Sequence, residues 1–258
     1  MHLEALPAEI RRQILFSSEY EALRALVHAS PIYHQQYLPD RYHLLCKCLV
    51  TALGSPTMAV DAYAVKVTGS TGRLQARTPR KVYKFLEVFQ SCHPSCAVLS
   101  VEGLPLDEVI SMLVFHFSII KPLVSYYSGR EIDCLAESPR PLSNTEETRI
   151  VRALYHFQLY CNLFGVGRYK PVSVRRLNFE PDDIMRLFLN VFEPWEVEEM
   201  ACIHNFARWE VNRVFRRVSL DVYKNSKLDI AAKDREFAFL FVTRLSTSNN
   251  TEFQHQRS

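Results

Sequence analysis

Cys92-His93-Pro94-Ser95-Cys96 places three potential metal ligands within five residues, and Cys46-Lys47-Cys48 adds two further thiols. A structural zinc site pairs two such knuckles, or one knuckle with a spaced histidine pair. Only Cys92 and Cys96 have workable spacing. Cys46 and Cys48, two apart on a helix, point about 200° from one another and cannot hold one ion together. They read as helix-buried thiols, and no metal centre is expected. Glu193, Glu196, Glu198 and Glu199 crowd around Pro194. Four carboxylates could serve acid–base or metal chemistry, but acids at a helix N-terminus also complement its dipole, which is the simpler reading. His204 lies on the apolar stripe of the helix that follows, outside any HExxH arrangement, and reads as a core histidine. His116 and His156 sit among apolar residues of their helices and read the same way.

Other routes to catalysis lack their residues. The chain has no nucleophile elbow, no P-loop and no dinucleotide fingerprint, and Gly165-Val166-Gly167 is a helix stop. No catalytic residue and no cofactor is assigned; a non-enzymatic protein is expected. Basic residues gather at Arg73, Arg77, Arg80, Lys81 and Lys84, at Arg168, Lys170, Arg175 and Arg176, and at Arg208, Arg213, Arg216 and Arg217. A net charge of only +3 makes these solvated helix faces rather than a nucleic-acid surface.

Helices must position all of these groups. Seven glycines in 258 residues fall well below ordinary usage of about 7%, which argues against phosphate loops and tight hairpins. Gly54, Gly129 and Gly165 fall at expected helix ends. Leu6, Ile10 and Ile14 recur at helical spacing behind Pro7. Leu23, Leu26 and Val27 form a second short face. Ser30-Pro31 reads as an N-cap with proline at the first helical position, opening a helix expected to break near Pro39 and to stop at Gly54. Residues 66–80 read as a linker. Thr78-Pro79 starts a helix with Val82, Phe85, Leu86 and Phe89 on its face, and residues 90–104 read as irregular. From Pro105 a helix buried on most sides runs to a break or kink at Pro122. Ser143-Asn144-Thr145-Glu146 is a capping box ahead of an amphipathic helix with Ile150, Leu154, Phe157, Cys161 and Phe164 on its stripe. Pro181 and Pro194 open two more helices. The second carries Val197, Met200, Ala201, His204, Ala207, Val211, Val214 and Phe215 on its expected face. No strand pattern and no repeat of fixed period is present, so the fold expected is all-α.

Hydrophobic residues at 48% and charged residues at 23% allow a sizeable core. The seven cysteines are irregularly spaced, and no signal peptide is read at Met1-His2-Leu3-Glu4, so an intracellular, reduced protein of the cytoplasm or nucleus is expected. Without secretion, the formal glycosylation acceptor Asn249-Asn250-Thr251 has no bearing. Val109–Val124, interrupted by His116, Lys121 and Pro122, falls short of a membrane span on this reading.

Residues 3–33, LEALPAEIRRQILFSSEYEALRALVHASPIY, resemble an F-box. The matching positions are Leu6, Pro7, Glu9, Ile10, Ile14, Leu15, Leu23, Leu26, Ser30 and Tyr33, in register and without insertions. The departures are Ser18, where the family usually has leucine, Ala22, where an acid is common, Pro31, where a basic residue is common, and Tyr33, in place of the usual tryptophan. About 40 residues with three short amphipathic helices bury their apolar stripes poorly alone and are completed by a partner. The resemblance implies that this partner is the Skp-type adaptor of a cullin–RING ubiquitin ligase. It also implies that Leu6, Pro7, Glu9, Ile10, Ile14, Leu15, Leu23 and Leu26 carry the module, its apolar members divided between its own core and the adaptor contact. The stretches LRALVHASPIYHQQYL, FHFSIIKPL, TEETRIVRALYHFQLYCNLFG and FEPWEVEEMACIHNFA resemble filamentous-fungal F-box-like proteins of unassigned function, from about residue 3 to about residue 215. The organisation implied is an F-box-like three-helix module over 1–50, packed on or linked to a larger irregular helical domain over 75–245, and a disordered tail over 246–258. The resemblance makes residues 219–258 a shortened or divergent end. The function implied is an adaptor that presents an unknown target protein. The alternative is a scaffold whose degenerate F-box no longer binds the Skp adaptor.

Overall fold

The computed structural model describes residues 3–69, 79–92, 100–135, 141–165, 179 and 181–225. Among them every regular element is helical and no strand occurs, so the fold is all-α. A 3-10 turn (Leu3–Ala5) leads into α1 (Ala8–Ser17), α2 (Tyr20–Ala29) and α3 (Pro31–Leu53). Ser30 caps α3 as its sequence indicates: its hydroxyl accepts the Tyr33 N–H at 3.4 Å, with Pro31 in the first turn. Gly54 ends the helix at φ +71, a backbone that side chains other than glycine's adopt with strain.

The expected break at Pro39 is absent; α3 runs through it. Proline removes the bond to the carbonyl of residue 35, and both Gln35 and Pro39 are exposed, so water satisfies that carbonyl. Packing holds the helix on either side of Pro39: α1, α2, α6 (Leu106–Phe115) and the 3-10 turn Val101–Gly103 all pack on it, and α1 meets it both at Gln36 and Asp40 and at Lys47. Tyr42 donates to the Glu102 carbonyl and, at 3.0 Å, to that of Leu104.

Helix α4 (Pro56–Thr68) takes in Lys66, Val67 and Thr68, three residues of the expected linker; 70–78 lie outside the described residues. Helix α5 (Pro79–Cys92) buries Val82, Leu86 and Phe89, with Phe85 half-buried. The run from Leu106 does not break at Pro122. Helix α6 passes through a π turn (His116–Ile120) into α7 (Lys121–Leu135), and Gly129, an expected helix end, sits inside α7. A wider turn before a proline relieves the clash of its ring with the preceding turn. Leu106–Gly129 is the one helix among the described residues long and apolar enough to cross a membrane by length and composition. This corrects the sequence-based reading that the segment falls short. Its buried residues, Val109, Met112, Leu113, His116, Ile120 and Val124, nevertheless follow one helical face against the protein core.

Helix α8 (Asn144–Phe164) has the expected capping box, with Ser143 N–H to Glu146 at 2.9 Å and Glu146 N–H to Ser143 at 3.3 Å. It is not an amphipathic surface helix. From Ala153 to Leu163 all but Tyr160 are buried, because α4, α7, α10 (Pro194–Asn225) and the π turn enclose it. After α9 (Pro181–Leu187), α10 buries a face displaced from the expected one: of the expected stripe Met200 and Val211 are buried and Val197 and Ala207 half-buried, Ile203, Phe206 and Glu210 are buried beside them, and Ala201, His204 and Val214 are exposed. Two apolar stripes compete on this helix, and Ile203 and Phe206 bury more surface than Ala201 and His204 can. One continuous core joins Leu15 and Leu23 to Leu49, Leu113, Leu159 and Ile203, so the first three helices share it with the rest. Helix α3 crosses residue 50. Residues 226–258 lie outside the described residues.

Candidate functional site

The N-terminal segment is assembled by contacts between the 3-10 turn, α1 and α3. Ser30 donates to Glu4 Oε1 at 2.5 Å, and the Tyr33 hydroxyl donates to the Leu3 carbonyl at 3.4 Å. Arg11 binds Gln36 at 2.9 Å and the Glu4 carbonyl at 2.7 Å, while Gln36 donates to the Ala8 carbonyl. Arg12 forms a bidentate pair with Asp40 at 2.7 and 2.8 Å.

This scaffold sorts the motif residues by exposure. Leu15 and Leu23 are fully buried, as is Tyr33 at the usual tryptophan position. Leu6, Ile14 and Leu26 are half-buried, and Ile14 packs on the core. Pro7, Glu9 and Ile10 are exposed, Ile10 at 42%. Two apolar residues that the sequence pattern does not mark join Ile10 at the surface, Leu3 at 54% and Ile32 at 38%. Their signal was weak because Leu3 precedes the periodic run and Ile32 falls between capping residues. Ser18, the principal departure from the pattern, donates to the Ile14 carbonyl at 2.6 Å and ends α1. The hydroxyl is thus satisfied locally where a leucine would have packed.

The other chemistry-bearing groups are structural in their settings. Cys46 and Cys48 are both buried and reach different partners at 3.9 Å, the carbonyls of Val101 and Ser18. Burial pushes both thiols up. Cys92 ends α5, and His93 and Cys96 lie outside the described residues. Among the described residues no group of three or more His, Cys, Asp or Glu is placed to hold a metal. The acids near Pro194 do more than face a dipole: Glu199 takes Arg149 at 2.6 Å and Arg152 at 2.8 Å, clasping α10 to α8. Glu196 accepts the Glu193 N–H at 3.1 Å and caps the helix.

His204 is exposed, edge-on to Phe157, and is not the core histidine its stripe suggested. His116 and His156 are fully buried, as expected, and both are partnered. His156 Nε2 meets Asp61 at 3.0 Å, and His116 Nδ1 meets the Tyr155 hydroxyl at 3.1 Å. Burial first, then Lys121, lowers His116 to about 4, while Glu147 opposes the shift. Burial pushes the Tyr155 hydroxyl up. Asp61, His116, Tyr155 and His156 are all at most 1% exposed, so this polar seam joins α4, the π turn and α8 without meeting solvent.

Comparison with protein-family models, curated proteins and solved structures yields no match.

Proposed function

We propose that the chain is a non-catalytic adaptor whose residues 1–50 dock on the Skp-type adaptor of a cullin–RING ubiquitin ligase, the helical remainder presenting a target protein. The observation that carries this reading is the division of the motif's apolar residues. Leu15, Leu23 and Tyr33 serve the core, while Ile10, Leu3 and Ile32 stay at the surface on elements pinned to one another. Exposed apolar residues on a preformed helical scaffold are what a docking partner covers. Such a role belongs to the cytoplasm or nucleus.

The second reading, a scaffold whose F-box-like segment has lost the adaptor, draws support from a different observation. Leu15 and Leu23 already belong to a core shared with α6 and α8, so the module is completed from within the chain. Co-purification of the full chain with a Skp-type adaptor separates the two. The wild type is expected to bind, and Leu3→Asp/Ile10→Asp, which alters only exposed positions, is expected to abolish binding while circular dichroism stays unchanged. A folded wild type that fails to bind selects the scaffold reading.

A further inference from the structure

Two adjoining cavities of about 500 and 400 Å³ lie between α2, α3 and the α6–π run, and they share Tyr20, Arg24, His28 and Val114. Together they make one groove. Its floor is apolar, formed by Leu23, Val27, Leu45, Ile110 and Leu113. Tyr20, which lines both cavities, stacks on Phe117 with ring centroids 4.4 Å apart. The polar lining is one-sided in charge: Arg24, Arg41, His28 and His34 face a single carboxylate, Glu21. Arg24 is exposed and forms no ion pair among the described residues. Arg41 lines the same cavity as Tyr37, and its Nε is buried with no hydrogen-bond partner. A buried guanidinium donor without an acceptor is a position that a carboxylate oxygen fills.

We propose that this groove binds an extended acidic peptide segment of another protein, with a bulky apolar side chain on the Leu23–Leu113 floor and carboxylates on Arg24 and Arg41. An apolar floor beside the cations favours a peptide with apolar and acidic side chains over a compact anion, and the charge excess selects acidic over basic sequences. Leu3 and Ile10 line neither cavity, so Leu3→Asp/Ile10→Asp separates this site from docking on the Skp adaptor even though both draw on residues 1–50.

The test uses the purified full chain on an array of synthetic peptides of about ten residues, long enough to span such a groove when extended. Asp/Glu and Leu/Phe are varied in spacing, and matched sets carry Lys for each acid or Ser for each apolar residue. Retention is expected on the acidic–apolar set alone. In fluorescence polarisation with the best peptide, Arg24→Glu is expected to weaken binding about tenfold, the scale of one charge-assisted contact. Arg41→Gln is expected to weaken it similarly, and Leu3→Asp/Ile10→Asp to leave it unchanged. Equal retention of the Lys set, indifference to Arg24→Glu, or a melting-temperature rise with laurate and no peptide retained would each overturn the proposal. Arg24 is a surface residue, so its variant remains informative even where Arg41→Gln fails to fold.

Discussion

His116 and His156 occupy similar apolar contexts in sequence, yet one meets a phenol and the other a carboxylate. For His116 the consequence is a pH dependence of stability. Its folded pKa is about 4, against about 6.5 in the unfolded chain, so the unfolded chain takes up the proton first as pH falls. The stabilisation is therefore fully present above about 6.5 and is lost towards about 4, on the order of 3 kcal/mol in all. One buried ring nitrogen, Nε2, has no hydrogen-bond partner, so the imidazolium would hold a buried N–H without an acceptor as well as a charge. His116→Gln retains an acceptor for Tyr155 without titrating. Urea unfolding at pH 7 and pH 4.5 is expected to show a smaller stability loss for this variant than for the wild type; equal losses would remove His116 as the source. Sequence could place both histidines in the core, but the partners come from residues 39 and 95 positions away.

At the scale of the element, end signals were readable because they act through neighbours. Ser30, Ser143 and Gly54 satisfy backbone groups within a few residues, and the chain folds there as their types dictate. Interruptions were not readable in the same way. Pro39 and Pro122 lie within continuous helical runs because water, packing and a π turn absorb the missing donor and the ring. The choice of buried face on α10 was also beyond periodicity, since two stripes fit and only contact with α8 selects the one through Ile203 and Phe206. Ser30 joins two tasks, capping α3 and holding Glu4 of the first turn. Ser30→Ala should destabilise the protein by about 1 kcal/mol, read as a lowered urea midpoint at unchanged slope. No shift would show that the cap is dispensable.

For the whole molecule, the decisive feature is that α3 and α8 belong to one core. Leu49 and Leu159 are fully buried in it. Leu49→Ala and Leu159→Ala are each expected to cost about 2–5 kcal/mol and to move the same single unfolding transition. Two separate transitions, each sensitive to one substitution, would show that residues 1–50 form an independent unit. The same continuity bears on function, because a segment already built into a core offers a partner only what remains exposed, and its large apolar residues at the surface are Leu3, Ile10, Ile32, Leu38 and Val50.

Sequence alone determined the all-α class and several helix ends. These rest on glycine scarcity, capping and short-range periodicity, which operate within one or two turns. Tertiary structure decided how Leu6, Ile10, Ile14, Leu15, Leu23 and Leu26 divide between interior and surface. It also enclosed α8 on nearly every side and brought Arg24 and Arg41 to the rim of one apolar groove. Burial and charge at those positions depend on helices distant in the chain, and a helix's own spacing carries no record of which neighbour will cover it.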